Sequence, residues 1–162
     1  MRCSRYLAVG VLSLLCLATL RGEEPAIPRT PVPDKATLEK NFAEMLSGAT
    51  LVGHFTMNEL GENQPAKVER YTLTKVSKVG DDLWLFQARM QYGKTDVTLP
   101  LTLEVKWAGD TPVLTMTDFP IPGMGKFTCR IIFFRDEYAG TWNGGPNHGG
   151  HMYGKIVREE KK

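Results

Sequence analysis

Alternation of apolar and polar residues is the feature that most constrains the fold of this chain. Apolar side chains occupy the even positions from Trp84 to Met90 and the odd positions from Val97 to Trp107. A period of two is typical of strands that turn one face to a core and the other to water. The pattern therefore predicts an antiparallel, mainly β domain, and it indicates no particular reaction.

Short turns separate about eight segments of strand-like sequence. They are residues 51–58, 67–79, 83–92, 97–107, 113–118, 127–135, 138–142 and 151–158. Turns this short suit neighbouring antiparallel strands better than long crossovers. They predict a closed up-and-down barrel, because closure removes the exposed edges of a sheet. A sandwich of two β-sheets is the alternative architecture.

One α-helix is predicted before the strands. Asp34 is placed to cap this helix and Gly48 to end it. The apolar residues of one helical face are Leu38, Phe42, Met45 and Leu46. Such a stripe predicts a helix packed on the barrel or over its mouth, and binding of a partner is the alternative. Helix and strands form one predicted domain at 34–158, followed by a charged tail at 159–162.

Residues 1–22 are typical of a secretory signal peptide. Arg2 and Arg5 precede an apolar run at 9–20, and the small residue Gly22 follows it. A retained membrane anchor is the alternative, although the run is short for a bilayer span. A proline-rich linker at 23–33 comes next. We expect a secreted, periplasmic or cell-envelope protein with no stable membrane span after cleavage of the leader.

Charge and cysteine content restrict the classes of function. Of the 20 basic residues, Arg2, Arg5 and Arg21 belong to the predicted leader, which leaves 17 against 18 acidic residues. This near-neutral balance gives no electrostatic basis for binding nucleic acid. Cys129 is the single cysteine beyond the leader, so we expect no intrachain disulfide. Its alternation with apolar residues predicts a core position, with a catalytic thiol as the alternative.

Three histidines are candidate metal ligands. His148 and His151 lie in the glycine-rich stretch 140–154, and His54 supplies a third imidazole. Such a set could serve a metal-dependent hydrolase. The alternative is a mobile hairpin tip whose glycines supply positive φ and whose histidines are exposed. The sequence contains no nucleophile-elbow, P-loop or Cys-x-x-Cys motif, and we expect no cofactor.

Inward-facing aromatic residues and three charged residues form the candidate ligand-binding set. Asp118 falls in phase with Leu114 and Met116, so we expect a buried carboxyl group paired with Arg89 or Arg130. The full predicted set is Trp84, Phe86, Arg89, Trp107, Asp118, Arg130 and Trp142. The interior of an eight-stranded barrel is either filled by side chains or holds one small ligand.

Two resemblances follow from particular segments and from the architecture. Segments 105–113, 138–142 and 149–154 include the motifs Trp-Ala-Gly-Asp-Thr-Pro and Tyr-Ala-Gly-Thr-Trp. These segments resemble a group of uncharacterised secreted bacterial proteins, a likeness that implies no catalytic residues. The predicted barrel is similar to those of the calycin superfamily, which includes lipocalins, avidins and fatty-acid-binding proteins. That similarity concerns geometry and carries no function by itself.

Three hypotheses of function follow. The first is a secreted, non-enzymatic β-barrel that binds a small apolar or amphipathic ligand. The second is a filled barrel that serves as a structural or interaction module of the cell envelope. The third is a metal-dependent hydrolase at His54, His148 and His151. The volume and lining of the barrel interior distinguish the first hypothesis from the second.

Overall fold

A computed structural model describes residues 31–58 and 64–158 of the chain. The predicted signal peptide at 1–22, most of the predicted linker at 23–33 and the predicted tail at 159–162 lie outside these described residues. The helix and the strands all belong to one compact unit that begins at Pro31.

Within the described residues, one helix precedes eight strands. The elements are α1 Lys35–Leu46, β1 Ala49–Phe55, β2 Lys67–Lys78, β3 Leu83–Tyr92, β4 Thr95–Ala108, β5 Thr111–Ile121, β6 Gly125–Phe134, β7 Glu137–Gly145 and β8 His148–Val157. Each strand pairs antiparallel with the next, and β8 pairs with β1 to close a barrel. The up-and-down barrel is therefore confirmed, and the sandwich alternative is wrong.

The alternation seen in the sequence sets the two faces of the barrel wall. On β3 the side chains of Trp84, Phe86, Ala88 and Met90 are buried, while Arg89 between them is exposed. On β4 the buried side chains are Leu101, Leu103 and Val105. These buried sets meet inside the barrel because successive strand residues point to opposite faces.

Helix α1 packs against one end of the barrel interior. The Asp34 carboxylate caps it by accepting the Thr37 backbone N–H at 2.9 Å, as predicted. Phe42 enters an aromatic cluster, with ring centroids 4.9 Å from Trp84, 5.7 Å from Phe133 and 6.0 Å from Trp107. This end carries the β2–β3, β4–β5 and β6–β7 hairpins.

No helix in residues 31–58 or 64–158 is both long and apolar enough to cross a membrane.

Strands β4 and β5 separate over part of their length. Their pairing runs from Glu104–Thr115 to Ala108–Thr111, close to the helix end. The first half of β4 pairs with β3 instead, and Pro100 lies in that half. Because proline has no N–H to donate, it suits a segment whose ladder is incomplete. The sheet is thus least continuous beside the end that α1 leaves uncovered.

Candidate ligand-binding site

The barrel interior contains a cavity of about 410 Å³. This volume falls within the range of about 300–1,000 Å³ that is common for small-molecule sites. Aliphatic walls from several strands surround the cavity, among them Leu51, Leu73, Leu101, Leu114 and Ile131. The end opposite α1 is lined by Phe55, Tyr92, Phe127, Trp142, His148, Lys67 and Lys94. The site is therefore an apolar chamber with aromatic and basic residues at one end.

One carboxyl group lies in this apolar wall. Glu69 on β2 is about 1% exposed. The Tyr71 hydroxyl donates to its Oε2 at 2.8 Å, and the Tyr138 hydroxyl donates to its Oε1 at 2.8 Å. All three residues line the cavity, and together we call them the Glu69 cluster. A buried carboxyl group requires such partners, because desolvation of its charge is costly.

Burial determines how the Glu69 cluster titrates. Desolvation raises the pKa of Glu69, while hydrogen bonds from Tyr138 and Tyr71 act in the opposite direction. Desolvation and the nearby carboxylate raise the pKa of both tyrosines well above their usual value. Both phenols therefore stay protonated at neutral pH and remain donors to Glu69.

Two glycines give the Tyr138 ring its path to Glu69. In the barrel wall Gly53 pairs with Glu69 on one side and with Gly154 on the other, and Gly154 pairs with Tyr138. A Cβ atom at Gly53 would overlap the Tyr138 hydroxyl, and a Cβ atom at Gly154 would lie 2.8 Å from Tyr138 Cε1. Glycine is thus required here because a side chain crosses its strand closely.

Close approach of neighbouring chain segments also accounts for several glycines of the stretch 140–154. Trp142 pairs with Gly150, and Met152 pairs with Gly140. A Cβ atom at Gly150 would overlap the Thr56 carbonyl, which accepts the Trp142 indole N–H at 3.2 Å. The predicted hairpin tip is confined to the turn between Gly145 and His148, where Gly145 has φ 139°, and most of the stretch forms β7 and β8. Gly150 and Gly154 therefore serve close packing, whereas Gly145 serves the turn.

The three histidines do not meet. His148 lines the cavity with its ring 4.9 Å from that of Trp142, whereas His54 and His151 are exposed. Residues three apart on a strand point to opposite faces, which separates His148 from His151. Across residues 31–58 and 64–158, no group of three or more His, Cys, Asp or Glu side chains could hold a metal ion. The predicted three-histidine ligand set is therefore wrong.

The aromatic members of the predicted ligand-binding set divide between two places. Phe86 and Trp142 line the cavity. Trp84 and Trp107 pack on Phe42 at the helix end instead. Sequence alternation identified these inward-facing residues, but it carried no information on which part of the interior α1 occupies.

The charged members of that set lie outside the cavity lining. Arg89 is exposed and forms an ion pair with Asp96 at 2.7 Å. Asp118 is also exposed, with φ 47° in an irregularity between Met116 and Phe119, so its predicted burial is wrong. The irregularity shifts the inside–outside phase of β5 before Asp118 is reached.

Arg130 holds this irregular part of β5 rather than a ligand. Its guanidinium donates to the carbonyl oxygens of Met116 and Cys129 and to the Thr117 hydroxyl. The Asp118 backbone N–H donates to the Thr128 hydroxyl at 3.0 Å. These bonds satisfy backbone groups where regular strand pairing is interrupted.

Sequence reasoning missed the Glu69 cluster, although one signal pointed to it. Glu69 shares the inward phase of β2 with Tyr71 and Leu73, which places an acid on an apolar face. Farther along the same strand, the pairing with β3 shifts register between Leu73 and Lys75. Cys129 is buried as predicted, and burial raises the pKa of its thiol to about 11. That thiol is therefore protonated at neutral pH.

Comparison with protein-family models, with curated proteins and with solved structures finds no match to this chain. The similarity to the calycin superfamily therefore stays a prediction. The same holds for the resemblance to the group of secreted bacterial proteins.

Proposed function

We propose that this protein is a secreted, non-enzymatic β-barrel that holds one small apolar or amphipathic ligand in its interior. The observation that carries the proposal is the cavity of about 410 Å³ with largely apolar walls. A filled barrel acting only as a structural module would leave no such chamber, so the cavity favours ligand binding. The proposal of secretion rests on the leader pattern at residues 1–22.

The chemistry of the cavity fits a ligand with an apolar body. The cavity walls consist largely of leucine, isoleucine, methionine and phenylalanine. Burial of apolar ligand surface against them contributes about 25 cal/mol of binding free energy per Å². Polar side chains of the lining are few, and they lie at the end opposite α1, at Lys67, Lys94, Thr95 and His148, and in the Glu69 cluster. A few placed polar groups in an apolar chamber are typical of sites that orient a single small molecule.

Native mass spectrometry tests the proposal. The purified protein is incubated with a mixture of long-chain amines, alcohols, fatty acids and sterols, then freed of excess compound. We expect one molecule bound per chain. A ligand present at 100 times its Kd should also stabilise the fold by about 2.7 kcal/mol and raise the Tm. Absence of both the adduct and the Tm shift across the mixture would remove the basis of the proposal.

A further inference from the structure

The Glu69 cluster has hydrogen-bond acceptors to spare for a ligand but no spare donors. An ionised carboxylate only accepts hydrogen bonds, and each phenol has a single proton to donate. Tyr71 and Tyr138 both direct that proton to Glu69, at 2.8 Å in each case. With Glu69 ionised, lone pairs remain on the two hydroxyl oxygens and on the carboxylate, so this form of the cluster offers a ligand acceptors and no protons.

The charges of the cavity lining also favour a head group that donates hydrogen bonds over an anionic one. Among the described residues that line the cavity, Glu69 carries the carboxyl group, and it lies in a desolvated setting where electrostatic interactions are stronger than in water. The two lysines of the lining, Lys67 and Lys94, are exposed, so solvent screens their attraction for an anionic group, and His148 lies beside Trp142 at the same end. The cavity therefore disfavours a negative charge at depth and favours a positive one.

We propose that the cavity selects an apolar ligand whose head group donates hydrogen bonds, with an alkylammonium ion as the tightest binder. The head docks against the Glu69 cluster, and the apolar body fills the leucine-rich chamber. This inference rests on the proposed function and specifies its ligand class. Loss of the charge-assisted bond should weaken binding by about tenfold or more.

Isothermal titration with three compounds of equal chain length tests the inference. Decylamine, decanol and decanoate are titrated below their micellar concentrations at neutral pH. We expect decylamine to bind at least about tenfold more tightly than decanoate, with decanol between them. The variant Glu69→Gln should bring the affinities for decylamine and decanol close together. The control Glu137→Gln, at an exposed carboxylate, should keep the wild-type order.

A second measurement needs no variant, in case Glu69→Gln does not fold. In protein labelled with ¹³C at glutamate, the carboxyl resonance of Glu69 should shift on addition of decylamine and stay in place on addition of decanoate. A Glu69 resonance insensitive to decylamine would contradict the inference.

The outcomes separate the inference from the proposed function. Tightest binding of decanoate would overturn the donor-head inference, place the head group near Lys67 and Lys94, and leave a ligand-binding barrel. An amine preference that survives in Glu69→Gln would also overturn the inference. Failure of every compound, here and in the mass-spectrometric mixture, would overturn the proposed function itself.

Discussion

At the scale of single residues, the burial of Glu69 links stability to pH. The pKa of Glu69 is raised above its ordinary value of 4.5, chiefly by desolvation, so the folded state binds this proton more tightly than the unfolded state does. The stability gained from that proton is fully present below pH 4.5 and is lost as the pH rises through the raised pKa.

Thermal unfolding of the wild type and of Glu69→Gln from acid to neutral pH measures this linkage. The Tm of the wild type relative to Glu69→Gln should be highest in acid and should fall as the pH rises, because glutamine does not titrate. Glu137→Gln should follow the wild type more closely over the same range, since its side chain is exposed. A Tm difference that grows with pH would show that folding lowers the pKa of Glu69 instead.

Single glycines matter where side chains cross the wall. Gly154→Ala would place a Cβ atom against Tyr138 Cε1 and the Val52 carbonyl, so we expect a loss of about 1–3 kcal/mol in the free energy of unfolding. At Gly80 an added Cβ atom would first meet Leu83 at 3.4 Å, an ordinary contact. Gly80→Ala should therefore change the free energy of unfolding by no more than about 0.5 kcal/mol. Urea titration measures both variants. Equal losses in both variants would contradict the close-packing role of Gly154.

At the scale of elements, α1 contributes two buried side chains to the core, Phe42 and Leu46, and Phe42 supplies the aromatic ring. Phe42 is about 2% exposed and packs edge-on against Trp84. Phe42→Ala should cost about 3–5 kcal/mol, measured by chemical denaturation, because it removes a large buried ring and leaves a void. The control Asn41→Ala changes an exposed position of the same helix and should stay within about 0.5 kcal/mol of the wild type. A loss below about 1 kcal/mol for Phe42→Ala would mean that α1 is only loosely docked.

Strands and helix could be predicted from the sequence because their signals are local. The period of two along β3 and β4, and the cap at Asp34, depend on neighbours a few residues away. The Glu69 cluster could not be assembled in this way, since Glu69 and Tyr138 are 69 residues apart and meet through the register of four strands. The burial of Asp118 was predicted wrongly for a related reason. The sequence pattern assumed unbroken alternation along β5, whereas an irregularity between Met116 and Phe119 interrupts it.

At the scale of the whole barrel, closure and α1 together create the chamber. Pairing of β1 with β8 gathers the inner faces of all eight strands around one interior. Phe42 fills the interior at the helix end, and the aromatic and basic residues line the other end. Binding therefore depends on free volume between these two ends, a property that no single strand carries.

Filling that volume should separate binding from folding. Ala88 on β3 lines the cavity, between Leu73 and Leu99 on the neighbouring strands. Ala88→Leu adds apolar volume to space that is otherwise open, so the fold should keep its stability or gain about 0.5–2 kcal/mol. Ligand affinity should fall by about tenfold or more, because part of the chamber is lost. Native mass spectrometry and thermal unfolding read the two effects separately.

Ala139→Leu makes the same chemical change on β7, at a position outside the cavity lining. This control should bind ligand like the wild type, because the alternation of β7 places Ala139 on the face opposite Tyr138. If Ala88→Leu folds and binds ligand as tightly as Ala139→Leu does, the ligand does not occupy the barrel interior. A specific loss of affinity in Ala88→Leu, with its Tm maintained, would locate the ligand beside β3 within the chamber.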